Sequence, residues 1–180
     1  MNRFKKHYRK NLKQELNLRG SLVNCQQASR IDKIVLNFGI KGIINDKKSI
    51  SIALIALEAI TGQKAQVTRS RKMVAKLKIR KNMVIGAKVT LRKEALDLFI
   101  DRLVYLVLPR IRQFEGLSHK RVNHQGDLTF RIANPLSFLE LENQYEIFQD
   151  FNFLDITMVT NGSNKESANT LLSCFQLPFV

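Results

Sequence analysis

The sequence predicts an α+β protein in which helices pack on one face of a mostly antiparallel sheet and a long basic loop extends from the sheet. Three observations support this fold class. Apolar residues recur with the two-residue period of strands in some stretches and with the helical period in others. The connections between these stretches are too irregular for a doubly wound parallel sheet. No Pro-, Gly- or Ser-rich linker divides the chain, so we expect a single domain over residues 1–180.

The first predicted elements are a helix and a strand. Residues 3–18 carry apolar side chains at i, i+4 spacing with bases between them, which predicts a helix that ends at Gly20. Residues 30–39 alternate, which predicts a strand. One face of this strand is apolar, and the other, more polar face carries Lys33, Val35 and Asn37.

The middle of the chain is predicted to contain a second helix and two more strands. The helix is capped by Asn45 or Asp46 and ends at Gly62. The segment Ser70–Arg80 is too basic and too irregular for an assignment, so we expect it to form the long basic loop. The two short strands flank it, at Gln66–Thr68 and Gly86–Leu91.

The second half of the chain begins with a long predicted helix from Glu94 to Leu108, which Pro109 ends. Its apolar positions are assigned to the core under the sheet, and these are Leu96, Phe99, Leu103 and Leu106. The remaining predicted elements are a loop, two strands and a last helix, at Leu117–Asp127, Phe130–Ile132, Asp155–Thr160 and Asn164–Phe175.

Charge is distributed very unevenly along the chain. Residues 1–93 contain 23 Lys and Arg against 4 Asp and Glu, whereas residues 94–180 contain 7 against 11. The two parts therefore carry net charges of +19 and −4. Folding does not require such asymmetry, and concentrated positive charge repels itself unless a polyanion neutralises it. Nucleic acid is the first candidate for that polyanion.

The longest stretch without an acid runs from Ala59 to Lys93, and it contains eleven bases. These bases do not fall on one helical face, which favours an extended loop that follows a phosphate backbone. A solvated surface is the alternative, but solvated surfaces normally mix both signs of charge. The loop itself contributes Arg69, Arg71, Lys72, Lys76, Lys78, Arg80 and Lys81.

Three uncharged polar residues are candidates for reading RNA rather than only holding its phosphates. Asn37 and Thr90 lie in predicted strands, and Gln63 follows the glycine that ends the second helix. Amides and hydroxyls can contact base edges or 2′-hydroxyls. From the pattern alone, the ordinary interpretation as strand and turn residues is the stronger one.

Other function classes find little support in the sequence. It contains no P-loop, GxGxxG, GxSxG or HExxH motif, so we expect no catalytic residues and no cofactor. His119, His124 and Asp127 share a stretch but lack a further strong ligand at a diagnostic spacing, so we expect no metal. The two cysteines, Cys25 and Cys174, lie far apart. No apolar run is long enough to cross a membrane.

Several segments together resemble one known family, the large-subunit ribosomal protein number five, which binds 5S ribosomal RNA. The match covers nearly the whole chain in order and spacing. It is carried by SRIDKIVLNFGI at 29–40, ITGQKAQVTRSRKMVAKLKIRKN at 60–82, IGAKVTLR at 85–92, LPRIRQFEGLS at 108–118, LDITMVT at 154–160 and FQLPF at 175–179.

The resemblance implies a structural constituent of the large ribosomal subunit, with no enzymatic activity and no homo-oligomer. It implies a position in the central protuberance, bound to 5S rRNA and large-subunit rRNA. The implied neighbours are P-site tRNA, other central-protuberance proteins and a small-subunit head protein across an intersubunit bridge.

The resemblance also implies roles for individual residues. The basic loop 69–81 corresponds to the part of the family that reaches toward tRNA and large-subunit rRNA. Arg110 and Arg112 correspond to the part that approaches the small subunit. The implied 5S rRNA-binding residues are Asn37, Gln63 and Thr90, joined by Lys33, Lys88 and Arg92.

Residues 119–150 follow the family pattern only loosely, and Gln66 and Met73 also depart from it. This drift, with abundant Lys, Ile and Asn and no Trp, is typical of a mitochondrial version. Because no convincing presequence is visible, we expect a protein of the mitochondrial matrix that the organelle encodes. A bacterial cytoplasmic or plastid ribosome is the alternative. The acids of this half favour contacts with protein or solvent rather than rRNA.

Two functions of other classes stay open on the sequence alone. An RNA-processing enzyme would use the basic half to hold RNA and would need two or three carboxylates that converge in a cleft beside it. A basic nucleic-acid-packaging protein would show no preference for RNA over DNA.

Overall fold

The computed structural model describes residues 29–39, 48–148, 153–161 and 165–180. Three sequence predictions lie outside these residues: the helix over 3–18, the cap at Asn45 or Asp46, and the start of the last helix at Asn164. Cys25 also lies outside them, and Cys174 is a half-buried thiol that forms no disulfide with another described residue.

Five strands form one sheet in the order β2-β3-β1-β5-β4. β2 pairs with β3 in antiparallel register, and the α+β fold class is confirmed. Each strand that the alternating patterns predict is present, some longer by a few residues. Their bounds are β1 Ile31–Gly39, β2 Gln66–Arg69, β3 Val84–Leu91, β4 Leu128–Ile132 and β5 Leu154–Thr160.

Alternation along the strands separates a core face from an outer face. On β1 the apolar positions Ile34, Leu36 and Phe38 are buried, as predicted, and the residues between them are half-buried. The same alternation buries the core-facing side chains of three other strands, which include Ala87, Val89, Leu91, Leu128, Phe130, Ile132, Leu154, Ile156 and Met158. Most polar residues of these strands are therefore left on the outer face, whereas Thr160 of β5 is buried and its Oγ1 donates to the Gly126 carbonyl.

The chain divides into two compact units. Among the described residues, the first unit holds 29–34, 91–130, 157–161 and 165–180, and the second unit holds 35–39, 48–90, 131–148 and 153–156. β2 lies wholly in the second unit, and the other four strands contribute residues to both. The prediction of one domain over the whole chain stays a prediction.

The second unit contains helix α1, Lys48–Thr61, and two short helices. α1 buries Ala53, Ala56, Leu57 and Ile60 on one side and contacts both short helices. It ends at Gly62, as predicted, where φ is +68° and the backbone N–H donates to the Glu58 carbonyl over 2.8 Å. The sequence did not predict the 3₁₀ turn Pro135–Ser137 or the two short helices that follow it, α4 Leu139–Glu142 and α5 Tyr145–Phe148.

The first unit contains a long helical segment in three consecutive parts. α2 spans Lys93–Arg102, a π-helical turn spans Leu103–Val107, and α3 spans Leu108–Arg110. The predicted helix end at Leu108, just before Pro109, is therefore two residues short, because the helical segment continues to Arg110. In the π turn the Leu108 N–H donates to the Leu103 carbonyl, five residues back, so the α-helical register has already shifted before Pro109 is reached.

The same turn explains a second correction in this helix. Leu96, Phe99 and Leu103 are buried as predicted, but Leu106 is 45% exposed. Val107 and Leu108 occupy the core instead, at 2% and 3% exposure. The π turn inserts one extra residue into the helical repeat, and this rotates every later position away from the face that a 3.6-residue period predicts.

The rest of the first unit is a loop region, a last helix and the chain end. The predicted loop over Leu117–Asp127 is confirmed, apart from a short 3₁₀ turn at His119–Arg121. Helix α6, Lys165–Cys174, buries Ala168, Leu171 and Leu172. In the described part of the chain, no helix combines the length and the hydrophobicity that a membrane span needs.

Candidate nucleic-acid interface

All eleven bases between residues 64 and 93 have exposed side chains. Within the described residues, none of the eleven pairs with a carboxylate. Surface cations in a folded protein are commonly interspersed with acids, which lower their mutual repulsion. Here that compensation is missing, so this surface has the electrostatic character of a binding site for a polyanion.

The predicted basic loop is an ordered extension of the β2–β3 hairpin. We call both strands together with this extension, residues 66–91, the basic hairpin. Beyond the end of β2, the Ser70 N–H donates to the Met83 carbonyl over 2.8 Å, and the Asn82 N–H donates back to the Ser70 carbonyl over 2.9 Å. Farther out, Val74 and Ile79 exchange two backbone hydrogen bonds of 3.0 and 3.1 Å. The two arms are therefore held together along most of their length.

A tight turn closes the tip of the basic hairpin. Ala75–Leu77 form one 3₁₀ turn, and Lys78 follows with φ of +52° and donates its N–H to the Ala75 carbonyl over 3.0 Å. Met73 is 72% exposed beside this turn, although it is a large apolar residue. The tip presents a shallow, largely apolar groove lined by Met73, Ala75, Lys78, Ile79, Arg80 and Met83.

The outer face of the sheet carries the predicted RNA-reading residues in the second unit. Asn37 is half-buried on the outer face of β1, and Thr90 and the exposed Lys88 lie on the outer face of the neighbouring β3. Gln66 lies directly opposite Lys88 in the β2–β3 register, so its exposed side chain shares that face. The structure thus brings an amide, a hydroxyl and a cation of the predicted set onto adjacent strands.

Gly86 allows these strands to approach one another closely. A Cβ atom at this position would lie 2.2 Å from the Phe38 backbone oxygen and 3.2 Å from Thr68 Oγ1. Real Cβ atoms do not come as close as the first distance, so only glycine fits here without displacing β1. Sequence reasoning missed Gly86, because a glycine inside an alternating stretch signals a close approach without naming the partner strand.

Gln63 lies in a turn that polar side chains hold in place. Thr61 Oγ1 donates to the Leu57 carbonyl over 2.7 Å and accepts a hydrogen bond from the Gln63 backbone N–H over 3.2 Å. The Glu58 carboxylate accepts from the Ala65 N–H over 3.1 Å. The Gln63 side chain is exposed, so the turn fixes its backbone while the amide stays available to a ligand.

The other predicted site residues lie in the first unit. Lys33 is half-buried on the outer face of β1, and Arg92 is exposed directly after β3. Arg110 ends α3, and Arg112 follows in a turn, both with exposed side chains.

The outer face of β4 and β5 differs from that of the basic hairpin because its charges pair with each other. In the second unit, Arg131 donates from Nε to Asp155 Oδ1 over 2.6 Å, and its guanidinium lies 5.0 Å from the centre of the Phe153 ring. The hydrogen bond to Asp155, and then its charge, raise the pKa of Arg131 above the usual value. The pair is neutral as a unit, so this part of the sheet offers little attraction for phosphate.

Among the described residues, no group of three His, Cys, Asp or Glu side chains is placed to hold a metal ion. His119 stacks on Phe179, and Asp127 Oδ1 accepts a hydrogen bond from the Thr160 N–H over 3.3 Å.

Comparisons with known proteins identify the family of the chain. The family model described as "Ribosomal protein L5" matches residues 24–80, and the model that describes the C-terminus of the same ribosomal family matches residues 84–179. The chain belongs to the ribosomal protein L5 family. The junction between the two matches falls within the basic hairpin, just before β3.

Two relatives match almost end to end. The large ribosomal subunit protein uL5m of Reclinomonas americana is 41% identical over 178 residues, which cover 99% of this chain and 98% of the relative. The large ribosomal subunit protein uL5 of Anaeromyxobacter sp. (strain K) is 40% identical over 177 residues, which cover 98% of this chain and 97% of the relative. Both relatives are named as ribosomal proteins rather than as enzymes.

Proposed function

We propose that this chain is a structural constituent of the large ribosomal subunit and that it binds 5S rRNA through the outer face of β1 and β3. Family membership and two near full-length ribosomal relatives support this function. The observation that carries it is the concentration of exposed cations, without acid partners among the described residues, beside an amide and a hydroxyl on adjacent strands. The RNA-contacting set is Asn37, Gln63 and Thr90 with Lys33, Lys88 and Arg92.

Within this function the two kinds of residue have different tasks. The lysines and arginines hold phosphates, which gives affinity without sequence information. Asn37, Gln63 and Thr90 contact base edges or 2′-hydroxyls, and this lets the protein select its RNA. The half-buried positions of Asn37 and Thr90 support this role, because a partly desolvated hydrogen bond discriminates better than one surrounded by water.

The basic hairpin extends the interface beyond 5S rRNA. We infer that its tip contacts large-subunit rRNA and P-site tRNA. An ordered hairpin is suited to reach a ligand at a distance, because little conformational entropy is lost when it binds. The cations available for this contact are Arg69, Arg71, Lys72, Lys76, Lys78, Arg80 and Lys81, and all of them are exposed.

The acidic part, residues 94–180, is proposed to face protein. Arg110 and Arg112 are assigned to the side that approaches a small-subunit head protein, and other central-protuberance proteins are its further neighbours. The chain acts in this setting as a single copy.

The ribosome in question is proposed to be mitochondrial, and the gene to be encoded in the organelle. A mitochondrial relative at 41% identity supports the compartment. A bacterial relative at 40% keeps a bacterial ribosome as the alternative. Sedimentation of the protein with large subunits from purified mitochondria would decide between the two.

The direct test of the RNA assignment is competition. The full chain is bound to labelled 5S rRNA and challenged with unlabelled 5S rRNA, with an unrelated structured RNA of the same length, and with duplex DNA of equal charge. We expect unlabelled 5S rRNA to compete at least tenfold better than either control, since base and 2′-hydroxyl contacts add to the shared phosphate term. Equal competition by all three would mean that the chain is a general polyanion binder.

A further inference from the structure

A second basic surface lies in the first unit, within the half of the chain that is acidic overall. The loop after α3 carries Lys120 and Arg121 side by side with His119, and all three side chains are exposed. Neither Lys120 nor Arg121 pairs with a carboxylate among the described residues. The basic hairpin does not include this loop, and the proposed 5S rRNA site does not use it.

The loop is anchored to the end of the chain. The Leu117 N–H donates to the Pro178 carbonyl over 2.7 Å, and the Val180 N–H donates to the Leu117 carbonyl over 2.9 Å. Leu117 and Leu177 are both buried. This arrangement forms a short parallel bridge between the two segments and fixes the backbone on which the basic side chains stand.

Hydrogen bonds within the loop also fix its basic residues. The Ser118 side chain accepts from the Lys120 N–H over 3.4 Å, and the Ser118 carbonyl accepts from the Arg121 N–H over 3.0 Å. Val122 is buried directly after them. The backbone of the loop is therefore ordered while its basic side chains extend into solvent.

An aromatic stack completes the surface. The rings of His119 and Phe179 lie 4.8 Å apart between centroids and only 12° from parallel. Because His119 is exposed while Phe179 supports it from one side, the stack is a ring platform at the surface, next to two cations. Aromatic platforms flanked by cations are the usual means by which proteins hold unpaired nucleotides.

We propose that the His119–Phe179 stack with Lys120 and Arg121 is a binding site for single-stranded RNA, separate from the 5S rRNA site. An unpaired base stacks on the ring platform, and Lys120 and Arg121 hold the flanking phosphates. This assignment goes beyond the proposed function and replaces the expectation that residues 119–124 face only protein or solvent. We still expect residues 125–150, which include the acids of this segment, to face protein or solvent.

An RNA partner fits these observations better than an acidic protein segment. Both would satisfy the two cations, but only a nucleotide also uses the ring platform, since every base has a flat face to stack. An ordered loop further suits an RNA ligand, because a phosphate backbone offers its charges at fixed spacing. The test below treats the acidic protein segment as the opposing outcome.

The experiment uses the full chain with saturating 5S rRNA, so that the outer face of the sheet is occupied. The probe is a 12-nucleotide oligouridine that contains 4-thiouridine, and crosslinks are mapped to peptides while the probe is titrated. We expect crosslinks in the peptides that contain His119 or Phe179. His119→Ala should weaken binding at this site by about 5- to 150-fold, the range that corresponds to loss of one stacked base.

Matched variants separate stacking from charge and from folding. His124→Ala removes the same residue type from the same exposed loop and should change the affinity less than about twofold. His119→Phe keeps a ring on Phe179 and should retain binding. Replacing both Lys120 and Arg121 with alanine should reduce the salt slope by about 1.4, for two phosphates at roughly 0.7 each on a single strand. The swap Lys120→Arg with Arg121→Lys should leave the slope unchanged.

Three results would overturn the assignment. Two are the lack of crosslinks at His119 and Phe179 and equal losses of affinity for His119→Ala and His124→Ala. The other is binding of a ten-residue poly-glutamate peptide that competes with the oligouridine and is insensitive to His119→Ala, which would make the surface a protein contact. The affinity for 5S rRNA is measured in parallel, so failure of the proposed function would be recognised separately.

Discussion

Replacing Gly86 with alanine tests how closely β1 and β3 must approach. The added Cβ would lie 2.2 Å from the Phe38 backbone oxygen, whereas ordinary van der Waals contact begins at 3.4 Å. The Phe38 carbonyl would therefore have to retreat by roughly 1.2 Å. Because that oxygen belongs to the backbone, the retreat cannot be absorbed by a side-chain rotation and must move the strand itself.

The expected cost follows from this displacement. Overpacking of a well-packed region costs about 1–3 kcal/mol, and a strand hydrogen bond lost as the strands separate costs about 0.5–1.5 kcal/mol. Together they predict that Gly86→Ala lowers the free energy of unfolding by about 1.5–4.5 kcal/mol. For a chain of this length, the melting temperature should fall by about 3–18 °C.

Thermal and denaturant unfolding of the purified chain measure this cost, with Gly39→Ala as the matched control. Gly39 lies at the end of β1, where a Cβ would meet nothing within 4 Å. The control should stay within about 0.5 kcal/mol of the parent protein. At a temperature where both variants are folded, Gly86→Ala should also weaken 5S rRNA binding, because Asn37 and Thr90 move apart. Equal stability of the two variants would refute the close approach as described.

Three further predictions concern recognition, charge and the helix. Asn37→Ala or Thr90→Val should each cost about 1–3 kcal/mol of 5S rRNA affinity with an unchanged salt slope. Lys76→Ala should barely alter binding to isolated 5S rRNA but should impair assembly into large subunits. Equal losses of 5S rRNA affinity for all three variants would mean binding by charge alone. If the exposed bases contact about six phosphates, the log of the affinity should fall with the log of the salt concentration at a slope of roughly −4 to −5, and a slope near zero would exclude phosphate-driven binding. Val107→Ala should lower the free energy of unfolding by on the order of 2 kcal/mol in denaturant titrations, while Leu106→Ala should change it by less than about 0.5 kcal/mol, and the reverse order would contradict the π turn.

The strands were predictable because their signal is local. Alternation around Ile34, Leu36 and Phe38 depends only on which face of a strand is buried, and that face is the same in the structure. Gly62 likewise ended its helix as predicted, since a left-handed residue after a helix favours glycine. Such features need no knowledge of distant parts of the chain.

The π turn was not predictable from periodicity, because a 3.6-residue period assumes that the helical repeat is uninterrupted. One extra residue between Leu103 and Val107 was enough to move Leu106 from the expected core to the surface. The short helices between Pro135 and Phe148 were missed for a related reason. A single helical turn is too short to show a period.

The candidate site was predictable by residue type but not by arrangement. The cations of the basic hairpin follow directly from the sequence, whereas the pairing of Gln66 with Lys88 depends on strand register. Gly86 and the ring stack of His119 on Phe179 depend on contacts between segments that are distant in sequence. Hydrophobic patterns specify which side of an element is buried, and they carry no information about which two elements meet.

The uncompensated cations of the basic hairpin give the free protein and its RNA complex opposite responses to salt. In the free chain, the eight exposed bases of this hairpin repel one another, and added ions screen that repulsion, so the unbound fold gains stability as ionic strength rises. In the complex, the same ions compete for the phosphates and weaken the contact. The free protein is therefore least stable at low ionic strength, where its affinity for RNA is greatest. Binding to RNA during assembly supplies the negative charge that the free protein lacks.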